Sequence, residues 1–185
     1  MMKLNYFIPA LLLLFAFTSC KNDAKKDTPE TVEVTSGDAV TQPDTKKPTI
    51  GEVAFNDPNM AVVFREYIGL KDALVGTNAA QAGASASRLM TAFANIGVED
   101  AALKAAQSIV EASNIEEQRT AFVPLTSAVE TMLEGEIASG TVYKQFCPMA
   151  FNNTGASWLS GSSDIQNPYF GDKMLRCGRI EAKIE

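Results

Sequence analysis

The chain has 185 residues, of which 46% are hydrophobic and 21% charged, and its formal net charge is −6. This acidic balance argues against a surface that binds nucleic acid or anionic lipid through charge. The sequence contains no histidine, which excludes Ser-His and Cys-His catalysis and every metal site that needs imidazole. We therefore expect a non-enzymatic protein without a nucleic-acid partner.

The first twenty residues are typical of a lipoprotein signal. Lys3 precedes an apolar run from Phe7 to Phe17, which has the length of a secretory signal and is too short to span a membrane. The run ends in "FTSC", which resembles a bacterial lipobox. We expect removal of residues 1–19 and lipidation of Cys20, so that the mature protein is anchored to a membrane without crossing it. The alternative is an ordinary signal peptide followed by an incidental cysteine.

Residues 20–50 follow as a predicted disordered tether. They mix Lys, Asp, Thr and Pro with few large apolar residues, which is the composition of a solvated linker. The folded domain is predicted to occupy residues 51–185. With Cys20 committed to lipid, Cys147 and Cys177 are the remaining cysteines in an oxidising compartment, where disulfides persist.

Two amphipathic helices are predicted at the start of the domain. Asp57 can cap a helix whose first residue is Pro58. A second helix begins after Asn78, with Gln81 completing a capping box, and stops at Gly97. Spacings of three and four predict their buried faces: Met60, Val63, Phe64, Tyr67, Lys71 and Leu74 in the first, and Ala82, Ala86, Leu89, Phe93 and Ile96 in the second.

Two further helices are predicted over residues 99–112 and from Ile115 onward. Pro124 lies within the last pattern and predicts a kink or a short break, because it removes a backbone donor. Four amphipathic segments joined by short loops predict a mainly α fold, an antiparallel helical bundle. The expected inward residues are Leu103, Ala106 and Val110, and then Ile115, Phe122, Leu125, Val129 and Met132 or Leu133.

After Gly140 the pattern becomes extended. The segments "TVYKQFC" and "MLRCGRIEAKI" predict a small two-stranded β-ribbon. The sequence between them is rich in turn-forming residues and is predicted to be a loop, which Trp158, Tyr169 and Phe170 should anchor to the core. The ribbon and loop together form a predicted cap on the bundle.

The cap carries a specific resemblance. The runs "VYKQFCPMAFNNTGASWLS" and "IQNPYFGDKMLRCG", preceded by "QRTAFVPL", resemble a helical domain of unknown function. That domain occurs in secreted proteins and lipoproteins of Gram-negative bacteria and is appended to CusB/HlyD-like periplasmic adaptor subunits of heavy-metal efflux systems. Its pattern is carried here by Cys147, Pro148, Met149, Trp158, Asn167, Pro168, Tyr169, Phe170, Gly171, Met174, Cys177 and Gly178.

The resemblance covers roughly residues 55–182 and implies an efflux-associated or metal-handling module. The expected location is the Gram-negative cell envelope, at the outer membrane through Cys20. The expected partner is a heavy-metal efflux adaptor or another envelope protein. Relatives often have histidine where this chain has Phe146, so one potential nitrogen ligand is missing here.

Four sulfur atoms in the cap form a candidate soft-metal site. Thiolates and thioethers favour Cu(I), or Ag(I), over zinc and hard cations. Cys147 and Met149 would project to one face of an extended strand. Met174 and Cys177 share a side only if the backbone turns there.

The alternative is a disulfide between Cys147 and Cys177. Closing a loop of about 30 residues would contribute roughly 3–4 kcal/mol in the chain-entropy model. Met149 and Met174 would then be packing residues, and the protein would be an interaction domain with a stapled cap. The compartment slightly favours this pairing, and both hypotheses remain open.

Arg119 is expected to have a surface role, with a contact to Asp172 or a helix end as alternatives.

Overall fold

The computed structural model describes residues 49–50, 52–98 and 100–185. The predicted signal peptide, Cys20 and the tether as far as residue 48 lie outside the described residues. The last two residues of the predicted tether range already form a strand, β1 (Thr49–Ile50). None of the helices in the described part of the chain is long and apolar enough to span a membrane.

Four long helices of the described chain pack as antiparallel neighbours, which confirms the mainly α bundle. Each helix is followed by a short loop, so successive helices run in opposite directions. The helices are α1 (Pro58–Val75), α2 (Ala79–Asn95), α3 (Asp100–Glu111) and α4 (Ile115–Met132).

The predicted helix ends are confirmed. The Asp57 carboxylate accepts a hydrogen bond of 2.8 Å from the Asn59 backbone N–H, and the Asn78 side chain accepts one of 3.0 Å from the Gln81 N–H. These bonds satisfy backbone donors that have no partner within the helix. Gly97 ends α2 with φ +66°, a conformation in which glycine avoids the steric penalty of a Cβ.

The predicted inward faces of α1 and α2 are buried, with Ile96 half-buried. Lys71 is 6% exposed on the core face of α1, and its ammonium lies 2.7 Å from the Asp72 carboxylate. On α3 the prediction is wrong for Val110, which is 41% exposed. The inward face of α3 lies one residue earlier and is formed by Ala102, Ala105, Ala106 and Ile109.

Helix α4 continues through Pro124, so the predicted break does not occur. Pro124 and Thr120 are both exposed. The carbonyl that loses its intrahelical donor can therefore bond to water, and the cost of the proline is reduced. Phe122, Leu125, Val129 and Leu133 are buried as predicted, and Ile115 and Met132 are half-buried.

Two small antiparallel sheets of the described chain flank the bundle. The pairing of β4 (Val142–Cys147) with β6 (Arg179–Ile184) confirms the predicted ribbon, but the third strand of that sheet, β5 (Ala156–Ser160), lies in the segment that was expected to be a loop. Trp158 and Leu159 in β5 are both fully buried, so the strand lacks the alternation that would have marked it. The sheets are ordered β1-β2-β3 and β5-β4-β6, with β2 Val53–Phe55, β3 Ile137–Ser139, β4 Val142–Cys147, β5 Ala156–Ser160 and β6 Arg179–Ile184.

A run of aromatic side chains joins the bundle to the cap. Trp158 and Tyr169 are buried, which confirms their predicted anchoring role, and Phe170 is half-buried. Neighbouring ring centroids in the run are 5.2–6.3 Å apart, within the range of favourable aromatic contacts. The run comprises Phe55, Phe64, Tyr67, Phe122, Tyr169 and Trp158.

Tyr67 links α1, α4 and β5 through its hydroxyl. The hydroxyl oxygen lies 2.9 Å from Thr126 Oγ1 and accepts a hydrogen bond of 3.0 Å from the Leu159 backbone N–H. Burial raises the pKa of Tyr67 above its usual value. The unfolded chain therefore releases this proton at a lower pH than the folded chain does.

We expect Tyr67→Phe to lower the free energy of unfolding at pH 7 by about 1–3 kcal/mol, because the Leu159 N–H loses its partner in the core. In the unmodified protein the contribution of the neutral hydroxyl is complete below about pH 10 and is lost as the pH rises toward the raised pKa. The unfolding free energy should thus fall above about pH 10 less steeply in Tyr67→Phe. Urea unfolding at pH 7 and above about pH 10 tests this, and Tyr143→Phe is the control because Tyr143 is half-buried. If the unfolding free energy falls equally above about pH 10 in Tyr67→Phe and in the unmodified protein, the expectation is contradicted.

Candidate functional site

The two cysteines of the cap are in contact. Cys147 is the last residue of β4, and Cys177 precedes β6, which pairs with β4 from Phe146 opposite Arg179. Their Sγ atoms are 2.8 Å apart. Both residues carry free thiols, with Cys147 buried and Cys177 half-buried. The fold therefore brings together the two sulfurs that both sequence hypotheses require.

The sulfur–sulfur distance lies between two chemical states. A disulfide bond measures about 2.03–2.05 Å, whereas two thiolates bound to one metal at about 2.3 Å are roughly 3.7 Å apart in tetrahedral geometry and roughly 4.0 Å apart in trigonal geometry. From 2.8 Å the sulfurs reach the disulfide distance by approaching about 0.8 Å and the metal-bound separation by moving apart about 0.9–1.2 Å. The site is thus compatible with a covalent bond and with a shared cation.

Hydrogen bonds fix the backbone around Cys177. Asn167, which is fully buried, donates from Nδ2 to the Cys177 carbonyl at 2.7 Å. The Cys177 N–H donates to the Met174 carbonyl at 3.0 Å. The hydrogen bond with the Cys147 thiol, together with partial burial, raises the pKa of the Cys177 thiol, although the Met149 backbone N–H acts in the opposite direction. A raised pKa lowers the fraction of Cys177 that is thiolate at neutral pH, so the thiol reacts more slowly there than an unperturbed cysteine does.

The methionines lie on the turns that adjoin the cysteines. Met149 has φ −90° and ψ −10°, so the extended geometry expected for Cys147 and Met149 is wrong: the strand ends at Cys147. Met149 is 47% exposed as a residue. The turn expected before Cys177 does form, with a 3₁₀ segment at Gly171–Lys173, and Met174 is half-buried beside it.

A cleft of about 680 Å³ opens next to Met149. Its wall includes Phe151, Asn152 and Asn153, which have positive φ values of 49°, 56° and 67°. Left-handed backbone costs roughly 1–2 kcal/mol per residue for most side chains and less for asparagine, and such strain concentrates at functional sites. The lining residues are Glu116, Arg119, Met149, Ala150, Phe151, Asn152, Asn153, Tyr169, Phe170 and Lys173.

Arg119 is buried, so the expected surface role is wrong. It is 2% exposed and its ion pair is with Glu116 at 2.8 Å, whereas Asp172 was the partner considered from the sequence. The guanidinium also donates to the Leu74 carbonyl in the last turn of α1 at 3.1 Å and to the Pro168 carbonyl at 2.8 Å. The alternative of a helix-end contact is therefore confirmed, and the same side chain holds the "NPYFG" segment against the bundle.

Phe146 lies on the other side of strand β4 from Cys147, since successive side chains of a strand point to opposite faces. The Arg179 guanidinium stacks 4.7 Å above its ring, a distance typical of a cation–π contact. A histidine at this position would point away from the thiol pair. Phenylalanine at position 146 therefore removes no ligand that could have reached the Cys147–Cys177 thiols from this side of β4.

Hard ligands do not complete the site. In the described ranges, no group of three or more His, Cys, Asp or Glu side chains could hold a metal ion. A cation at Cys147 and Cys177 would therefore take any third protein ligand from a softer side chain, and the thioethers of Met149 and Met174 are the nearest in sequence.

A family model described as a protein of unknown function, DUF3347, matches residues 63–140 of this chain. The match includes most of α1, the other three long helices and β3. It ends before β4, so Cys147 and Cys177 lie outside the matched region. No curated protein and no solved structure matches the chain.

Proposed function

We propose that this protein binds one Cu(I) ion through the thiolates of Cys147 and Cys177, with the Met149 thioether as third ligand. The observation that supports the proposal is the contact between two free thiols 30 residues apart in sequence, with Sγ atoms 2.8 Å apart. Met174 is the alternative third ligand, because it lies on the turn that leads to Cys177.

The donor set favours a soft monovalent ion. Cu(I) is stable with two or three sulfur ligands, whereas Zn²⁺ usually takes four ligands from cysteine, histidine and carboxylates. The chain has no histidine. Cys177 is half-buried, so an ion can reach its sulfur from solvent. Ag(I) is expected to bind for the same reasons as Cu(I).

The cellular setting belongs to the same proposal. A lipid on Cys20 would anchor the protein in the envelope of a Gram-negative bacterium, at the outer membrane. An adaptor subunit of a heavy-metal efflux system, of the CusB/HlyD kind, would be the partner that receives or supplies the ion. The lipobox-like "FTSC" and the "CPM" and "MLRCG" segments support this setting.

A second candidate function is an interaction domain whose cap is stapled by a Cys147–Cys177 disulfide. The 2.8 Å separation favours it, because it is closer to a bonded distance than to the separation of two metal-bound thiolates. In that case the cap would be a rigid docking surface for an envelope partner, and Met149 would contact the partner.

Copper competition under anaerobic conditions tests the proposal. The protein is produced with Cys20→Ser, so that Cys147 and Cys177 are the only thiols, and titrated with Cu(I) against a colorimetric chelator. We expect one equivalent to be retained by the reduced protein. Cys147→Ser and Cys177→Ser should each weaken binding by at least about 100-fold, since even supporting residues of metal sites contribute about 10–100-fold.

The methionine assignment has its own comparison. Met149→Leu should weaken Cu(I) binding by about 10-fold or more, whereas Met90→Leu should leave it unchanged, because Met90 is a half-buried residue of α2 in the bundle. A reduced protein that gives up all its copper to the chelator would refute the metal proposal and leave the interaction domain.

A further inference from the structure

We infer that the Cys147–Cys177 pair is a redox-gated site, in which the disulfide state cannot bind Cu(I) and bound Cu(I) prevents disulfide formation. This inference rests on the proposed function, since it concerns the regulation of the same site. It goes further because the disulfide and the copper-bound thiolate pair become two alternating states of the same site.

The backbone is fixed at both Cys147 and Cys177, whereas the separation of their Sγ atoms can change by side-chain rotation. Cys147 belongs to the β4 ladder with β5, where it lies opposite Ala156. Cys177 is held by Asn167 and by its own turn. Side-chain rotation alone can change a sulfur separation of 2.8 Å by the amount that either state needs. A sulfur engaged in a disulfide is no longer a thiolate, so the two states exclude each other.

The two thiols differ in accessibility, which sets the order of the chemistry. Cys177 is half-buried and Cys147 is fully buried. A small disulfide R–S–S–R would be attacked by the Cys177 thiolate, which forms a mixed disulfide and releases one R–S⁻. The adjacent Cys147 thiolate then attacks the Cys177 sulfur and displaces the second R–S⁻. The sum is one protein dithiol and one R–S–S–R converted to one protein disulfide and two R–SH, which balances atoms and electrons.

Copper blocks the first of these steps. A thiolate that donates its electron pair to Cu(I) is a weaker nucleophile toward R–S–S–R, and the ion holds the second sulfur away from the first. Met149 contributes to the copper state only, because no step of the thiol–disulfide exchange uses its thioether. A substitution of Met149 is therefore expected to weaken the copper-bound state specifically.

The first test uses the Cys20→Ser protein with a graded fraction of disulfide, prepared by treatment with hydroxyethyl disulfide and then freed of it. Anaerobic titration should give a Cu(I) capacity that falls one-for-one with the disulfide fraction measured by thiol alkylation. A fully oxidised protein that binds Cu(I) as tightly as the reduced protein would overturn the gate while leaving metal binding intact.

The second test measures the rate at which hydroxyethyl disulfide oxidises the pair. One equivalent of Cu(I) should slow oxidation at least tenfold. Met149→Leu should lose much of this protection, whereas Met90→Leu, which lies in α2 of the bundle, should keep it. Equal rates with and without copper would also overturn the gate. If the reduced protein retains no Cu(I), both proposals fail together, and that result differs from either failure of the gate alone.

Discussion

Replacing Arg119 with methionine is expected to destabilise the folded domain by about 3–5 kcal/mol. Methionine keeps much of the apolar volume but leaves the buried Pro168 carbonyl without its Arg119 donor. The Leu74 carbonyl also loses the guanidinium and keeps the backbone N–H of Thr77. Removing one partner from a buried, charged hydrogen-bond network costs this much because the groups left behind are not resolvated. The largest loosening should occur where the "NPYFG" segment contacts the bundle.

The matched control is Arg65→Met. The Arg65 side chain is 57% exposed and pairs with Glu66 at 3.0 Å. Exposed ion pairs contribute about 0–1 kcal/mol, so this variant should unfold almost as the unmodified protein does. Urea unfolding measures both differences, and amide hydrogen exchange locates the loss. An Arg119 variant as stable as the Arg65 variant would show that the buried network carries no stability.

Local sequence signals predicted α1 and α2 because capping residues mark where each helix begins and regularly spaced apolar residues mark its buried face. Asp57 and Asn78 cap their helices with short polar side chains, and the large buried residues of α1 recur every three or four positions. On α3 the signal was weak, since three of its four buried positions are alanines and Val110 suggested a different face. Alanine is only weakly hydrophobic, so a buried face made of alanine is hard to distinguish in the sequence from the exposed face of the same helix.

The strands were harder to predict. Strand β5 is buried on both sides, so Trp158 and Leu159 face different neighbours without any polar residue between them. Strands β1 to β3 have only two or three residues each, too few to show alternation. The pairing of β2 with β3 joins segments far apart in sequence, as in Phe55 opposite Ile137, and no local pattern encodes such a contact.

The candidate site was predicted in part. Both cysteines could be named from the sequence, and the fold places them in contact. The role of Arg119 was missed, because its carbonyl partners are backbone atoms that the sequence does not identify. The left-handed run that begins at Phe151 was also missed, since only Asn152 and Asn153 are residue types that tolerate this conformation well.

Replacing Asn167 with aspartate is expected to weaken both the fold and the copper site at pH 7. The Asn167 Oδ1 atom accepts from the Tyr169 N–H at 2.8 Å, and aspartate preserves that bond. The donor to the Cys177 carbonyl is lost, and a carboxylate oxygen then faces a carbonyl oxygen in a fully buried position. The cost should be about 2–5 kcal/mol, because a buried charge adds to the lost hydrogen bond.

Acid should reverse part of this loss. Burial beside a carbonyl raises the pKa of the introduced carboxyl above its unfolded value, so the neutral form is favoured in the folded state. Once protonated, the carboxyl can donate to the Cys177 carbonyl again. The stability difference from the unmodified protein should therefore shrink as the pH falls from 7 to about 4. Asn95→Asp, at an exposed position near the end of α2, provides the control for general effects of charge.

The copper readout separates positioning from simple stability. If Asn167 holds Cys177 in register with Cys147, Asn167→Asp should weaken Cu(I) binding at pH 7 by about 10–100-fold, the range found for supporting residues of metal sites. Copper affinity is measured at a temperature where the variant is fully folded, so a loss cannot come from unfolded protein. A variant that is destabilised yet binds Cu(I) normally would show that Asn167 supports the cap without setting the geometry of the thiol pair.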